Sequence, residues 1–187
     1  MKNKFFIAVL IIGLVIGLWM VASYNRLAKA NLAVDTQWAQ VETQYQRRFD
    51  LIPNLTASVS GIFTQEKEIF ISIAEARKEY SGVATADEKA AAAGRVEGAL
   101  GRLLVIAENY PQLNSNQTLQ NLMTQLEGTE NRISVERTRY NEAVAAYNSQ
   151  IITFPYTIVA SILGFSKRSF FQIQEQAVTV PTVKFNQ

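Results

Sequence analysis

From Phe5 to Ala22 the chain runs 18 residues without a charged side chain, bounded by Lys2 and Lys4 on one side and by Arg26 and Lys29 on the other. No other feature restricts the fold as strongly. At 1.5 Å per helical residue the run spans roughly 27 Å, close to the hydrocarbon thickness of a bilayer. Val21-Ala22-Ser23 also resembles the small-residue site of a cleaved signal peptide. The run exceeds the ~7–15 residues of a signal peptide's apolar region, which favours an uncleaved single-pass anchor over residues 1–23. The absence of Cys excludes a lipid-modified cysteine. Two Lys and the α-amine precede the run and Arg26 and Lys29 follow it, so the positive-inside rule leans towards an N-terminus inside and a body outside.

Composition removes most chemistry from the body. The chain has 18 Lys+Arg against 16 Asp+Glu, and Lys2 and Lys4 account for the excess. A balanced body is unlike a nucleic-acid binder, whose affinity rests on neutralising phosphates. Without Cys there are no disulfides, thiol nucleophiles, zinc fingers or iron–sulfur ligands. Without His there is no Ser-His-Asp triad, HExxH zinc site or Glu-x-x-His di-iron pair. These absences point to a protein that is not an enzyme and holds neither metal nor cofactor.

The body, residues 24–150, carries helical periodicity. Leu27, Asn31, Val34, Trp38, Val41, Tyr45 and Phe49 form a near-heptad stripe with no Gly or Pro between Ala22 and Phe49. The first helix therefore continues straight out of the anchor and ends near Asp50, with Pro53 opening a second helix. That second helix carries Leu55, Val59, Ile62, Ile69, Ile73, Ala76 and Tyr80 and stops at Ser81-Gly82. Thr85 and Glu88 have capping-box spacing and open a third helix bearing Val96, Leu100, Leu103, Ala107 and Tyr110, closed by Pro111. Asn114 or Ser115 caps a fourth, with Leu119, Leu122, Leu126, Ile133, Tyr140, Val144, Tyr147 and Ile151 on one face. The predicted fold is all-α: an N-terminal transmembrane helix continuing into an antiparallel up-down-up-down four-helix bundle. Residues 151–187 add a short apolar segment and a tail, extended from Ala177.

Several of these residues carry a resemblance. Tyr24-Asn25, Trp38 and Arg47-Arg48-Phe49-Asp50-Leu51-Ile52-Pro53-Asn54-Leu55 come first. Ala76-Arg77, Glu108-Asn109-Tyr110-Pro111-Gln112-Leu113, Glu130 and Arg137-Thr138-Arg139-Tyr140-Asn141 follow. Val144, Tyr147-Asn148, Phe154-Pro155, Gly164-Phe165 and Pro181-Thr182-Val183-Lys184-Phe185 complete the set. Together they resemble the signature of the LemA family. Relatives often place a His before the second-helix Glu, where this chain has Gln65-Glu66. The resemblance implies a bacterial single-pass membrane protein with an antiparallel helical bundle and no established activity. It hints at membrane metalloproteases as neighbours, and it implies an external N-terminus, opposite to the charge-based lean.

The candidate interaction residues each have a bland alternative. Arg47, Arg48 and Asp50 form an anion- or partner-binding corner at the turn distal to the membrane, or simply complement two helix dipoles. Glu127, Glu130, Arg132, Glu136, Arg137 and Arg139 bring carboxylates together, yet all share one helix with Arg close by, which favours ionised acids over a catalytic pair. Glu130 and Arg137, seven residues apart beside Ile133, suit the setting of helix register. Asn31, Asn141 and Asn148 are polar residues on or beside seams, and Tyr140 and Tyr147 are core aromatics whose hydroxyls need partners. Gly13-x-x-x-Gly17 permits close approach of two anchors. Gly94, Gly98 and Gly101 imply close helix packing or a flat face for another protomer.

Two further expectations concern contacts. A fourth helix of ~52 Å over Asn116–Gln150 overhangs a first of ~39 Å over Tyr24–Phe49, which predicts a homo-oligomer. Ile151 to Phe171, with an uncharged run to Phe165 and then Lys167, Arg168, Phe170 and Phe171, meets membrane lipid or the base of a neighbouring protomer, or else caps the bundle. The functional expectation is a scaffold or self-assembling interaction module. Its alternative is an adaptor or accessory subunit for a membrane protease or other membrane protein.

Overall fold

The computed structural model describes residues 2–59, 67–108 and 117–172. Among them are five α-helices and no strand: α1 (Lys2–Val59), α2 (Lys67–Gly82), α3 (Ala86–Glu108), α4 (Gln117–Ile152) and α5 (Tyr156–Leu163). The expected all-α helical bundle is borne out. The chain divides into two compact units, Met1–Leu51 with Thr124–Phe170 and Ile52–Met123 with Phe171–Gln187. Pro111, the cap at Asn114 or Ser115, Gln65-Glu66 and the tail from Ala177 lie outside the described residues.

The first unit is built on α1 and α4 running antiparallel. None of the side chains from Phe5 to Leu18 is buried, and Ser23 is the first buried residue. α1 is thus the one described helix long and apolar enough to cross a membrane, and it enters the body unbroken. Leu27, Val34, Val41, Tyr45 and Phe49 are then buried, as the stripe predicts, with Asn31 and Trp38 half-buried. On α4 the partner stripe Leu126, Ile133, Tyr140, Val144, Tyr147 and Ile151 is buried. The Trp38 and Tyr140 rings meet edge-on, 5.3 Å between centroids.

One boundary is corrected. α1 does not end near Asp50; it continues through Pro53 to Val59. A proline inside a helix costs about 3 kcal/mol. Here Ile52 and Leu55 are both buried, and burial of such side chains is worth ~1.5–3 kcal/mol each, enough to offset the proline. The stretch is further tied by side chains: Gln46 donates to Asp50 (2.8 Å), Thr56 to the Ile52 carbonyl (2.9 Å) and Ser58 to the Asn54 carbonyl (2.8 Å). Consequently α1 has 36 residues from Tyr24 to Val59, as many as the 36 of α4. The helix-length difference that suggested an overhang does not exist.

In the second unit α2 and α3 form an antiparallel hairpin across Val83–Thr85. Ile73, Ala76 and Tyr80 face Ala92, Ala93, Val96, Leu100 and Leu103 as buried residues of the two helices. The capping box is present as predicted: Glu88 N–H donates to Thr85 Oγ1, and Thr85 N–H to Glu88 Oε2, both at 3.3 Å. Arg95 and Glu79 join the two helices through a bidentate ion pair, with Nε to Oε2 at 2.7 Å.

After α4 the chain turns through a cis Phe154–Pro155 bond into α5. Gly164 closes α5 in the left-handed region (φ 76°), its N–H donating to the Ala160 carbonyl. Residues 165–170 then run back along α4 as an irregular strap.

Candidate functional site

The buried face between α1 and α4 contains a polar layer. Continuing the heptad spacing from Val41 gives Tyr45, Arg48, Ile52 and Leu55, so Arg48 lies on the seam itself and is 5% exposed. On α4 the same spacing runs Leu126, Glu130, Ile133, Arg137, Tyr140 and places Arg137 on the seam, 7% exposed. Arg48 forms an ion pair with Glu130, whose side chain is 44% exposed. Arg137 donates to the Tyr45 hydroxyl, its guanidinium carbon 5.6 Å from the ring centroid. Glu130 and Arg137 each bridge from α4 to α1. Buried charges with such specific partners fix the alignment of two helices while adding little net stability.

The proposed corner of Arg47, Arg48 and Asp50 is not a corner. All three lie within α1, and adjacent residues of a helix point about 100° apart. Arg48 faces inward, away from Arg47 and Asp50, which are exposed three residues apart, Asp50 accepting from Gln46. The helix-end account fails for the same reason, since no terminus lies there. Arg47 instead lines a groove of about 390 Å³ with Leu51, Thr124, Gln125, Gly128, Thr129 and Arg132. Neither Arg47 nor Arg132 is ion-paired among the described residues. Chemically the groove offers two cations, two threonines and a glutamine, with no nucleophile–base pair.

The other predicted residues have distinct places. Glu127 is exposed, and Glu136 pairs with Arg139 at 2.8 Å. Asn148 clasps the strap: its amide donates to the Arg168 carbonyl (2.8 Å) and its carbonyl accepts the Arg168 N–H (2.9 Å). Tyr147 and Tyr140 donate to the carbonyls of Ser166 (3.1 Å) and Ser169 (3.2 Å), so both buried hydroxyls find partners on the strap. Burial pushes the Tyr147 phenol up from its ordinary pKa; Arg168 pulls it down and Asp35 reinforces the rise. Arg168 pairs with Asp35 on α1, whereas Lys167 is exposed. Asn141 is half-buried. A Cβ at Gly13, Gly17, Gly94, Gly98 or Gly101 would meet nothing within 4 Å, so close packing does not explain the α3 glycines.

Sequence reasoning missed the strap and the role of Arg48. The strap has no periodicity to detect. The Arg48 signal was present in the 4,3,4,3 spacing from Val41 to Leu55, hidden because Pro53 suggested a helix end.

The LemA family profile matches residues 37–185, from within the body of α1 to near the C-terminus. The chain belongs to the LemA family. Tyr24-Asn25 and the apolar run lie outside the matched range. Magnetosome protein MamQ 2 and magnetosome protein MamQ 1 of Paramagnetospirillum magneticum are each 39% identical to it over 79 residues. Magnetosome protein MamQ of Magnetospirillum gryphiswaldense is 38% identical over 78 residues. These stretches cover 42% of this chain and 29% of the relatives' length.

Proposed function

We propose that this LemA-family protein is a membrane-anchored, non-enzymatic scaffold, a self-assembling interaction module whose helical body stands on a single-pass anchor in the bacterial cell membrane. The observation that carries the reading is the continuity of α1, which passes from an exposed apolar run of membrane-spanning length into the packed body without a break. A body joined to its anchor through one helix is held at a set height and orientation, which suits organising partners rather than diffusing to substrates. The chain's lack of His and Cys supports the same reading, as does the pairing of Glu130 and Glu136 with arginines. Similarity to proteins named for the magnetosome supports a role as a component of a larger assembly.

The test is the native mass of the full chain, purified from membranes in mild detergent over a wide concentration range. Homo-oligomers support the scaffold. A membrane protease recovered in stoichiometric amount transfers the support to the adaptor reading. A monomer without a stoichiometric partner at every concentration overturns both.

A further inference from the structure

α5 has the sequence Tyr-Thr-Ile-Val-Ala-Ser-Ile-Leu, apolar nearly all round. A helix of that kind is stable where both of its faces are dry. The body covers one face, burying Val159 and Ala160. The other is open: Ile158 is 48% exposed and Ile162 63%, with Ile152 at 60% and Phe154 at 75% just before them. Four large exposed apolar side chains on α5 and the residues just before it, outside any packed core, mark an interaction surface.

The position of that surface identifies its occupant. Arg26 Nη1 donates to the Tyr156 hydroxyl at 2.9 Å, and the guanidinium carbon lies 5.2 Å from the Tyr156 ring centroid. Behind α5, the Phe165 ring packs against Tyr24 at 5.9 Å. Both ends of α5 are therefore fastened to α1 two and four residues past Ala22, the last residue of the apolar run. That is ~3–6 Å along the helix axis, the depth of the headgroup layer when the run spans the hydrocarbon. Lys29 and Lys167 are exposed nearby in sequence to these fastening points, and Arg26 lies at one of them. Aromatic and cationic side chains around an apolar face match an anionic headgroup layer. The strap, held by Tyr140, Tyr147 and Asn148, fixes the segment that follows α5.

We infer that α5 is an interfacial helix whose Ile158 and Ile162 face, with Ile152 and Phe154, rests in the headgroup–acyl boundary of an anionic bilayer beside the exit of α1. This rests on the anchor reading of Phe5–Ala22. The open face is a foot that braces the body against the bilayer surface, and the covered face caps the α1–α4 pair. Membrane contact and bundle capping, two of the fates that the sequence allows for Ile151–Phe171, are therefore met by opposite sides of one helix.

Because the chain has no Cys, single spin labels can be placed cleanly. Full-length I158C, I162C, L10C and T138C, the last on the exposed side of α4, are labelled and reconstituted in phosphatidylcholine–phosphatidylglycerol liposomes. Accessibility to oxygen and to a water-soluble nickel chelate is then read by power saturation. The expected result is loss of chelate access at I158C and I162C relative to T138C, at a depth shallower than L10C. Chelate access at I158C and I162C equal to T138C, with L10C still in lipid, overturns the interfacial helix and leaves the anchor intact. Chelate access at L10C overturns the anchor reading and this inference with it. Dipolar broadening at I158C with neither oxygen nor chelate access shows a second copy on the face and also overturns it.

Discussion

Arg137 is a buried cation whose donation to Tyr45 joins α4 to α1. Truncating it leaves a buried hydroxyl short of a partner and opens space in the seam, so R137A should destabilise the chain by about 2–4 kcal/mol. Y45F removes the acceptor of a buried guanidinium and should cost about 1.5–3 kcal/mol. Denaturation of the two single variants and the double variant, all full length in detergent, measures their coupling. Strictly additive losses would refute a direct interaction. Tyr147 makes a pH prediction of the opposite character. Its phenol is held neutral above its ordinary pKa, so its contribution to stability is complete below pH ~10 and is lost as pH rises through the raised value. Y147F should flatten the alkaline fall of the thermal midpoint. An unchanged alkaline limb would show that another group titrates there.

The third helix carries two tests at the scale of an element. Hydrogen bonds from the Thr85 hydroxyl and backbone hold the Glu88 carboxyl below its ordinary value. A depressed acid contributes stability that is present above its unfolded pKa and lost as pH falls through the folded one. Amide exchange in the first turn of α3 should therefore quicken, relative to the rest of the helix, on acidification through the carboxylate range. The E88Q variant should lack that step. The glycines of α3 give the second test. Since a Cβ at Gly98 meets nothing within 4 Å, G98A should stabilise the helix by about 1 kcal/mol through propensity alone. A loss of stability in the full chain would mean that something covers this face in solution.

For the whole molecule, self-association cannot be argued from an overhanging fourth helix, because α1 matches α4 in length. Gly13 and Gly17 lie on an exposed helix with open space above each, the arrangement that lets two membrane helices approach closely. We expect G13L/G17L to lower the oligomer fraction of the full chain in mild detergent while leaving its helix content unchanged. Equal oligomer fractions by native mass would place the contact in the body instead.

What the sequence determined by itself was local. Each helix is a repeat of i to i+4 interactions, so the stripes on α1, α3 and α4, the Thr85–Glu88 cap, the Gly82 stop and the apolar run of α1 are all written within a few neighbouring residues. Tertiary structure decided matters that depend on a distant segment. Pro53 stays helical because Ile52 and Leu55 find burial that offsets the local penalty, and no local rule supplies that term. The candidate corner failed with the helix end on which it depended. Glu130 was legible beside the seam while the apparent helix end at Pro53 hid Arg48, and an ion pair forms only between groups brought within about 4 Å, which the antiparallel register of α1 and α4 decides. The strap at residues 165–170 is the clearest case. Its backbone is held by Tyr140, Tyr147 and Asn148, partners 19 or more residues away, and an irregular segment has no period by which a sequence can announce them.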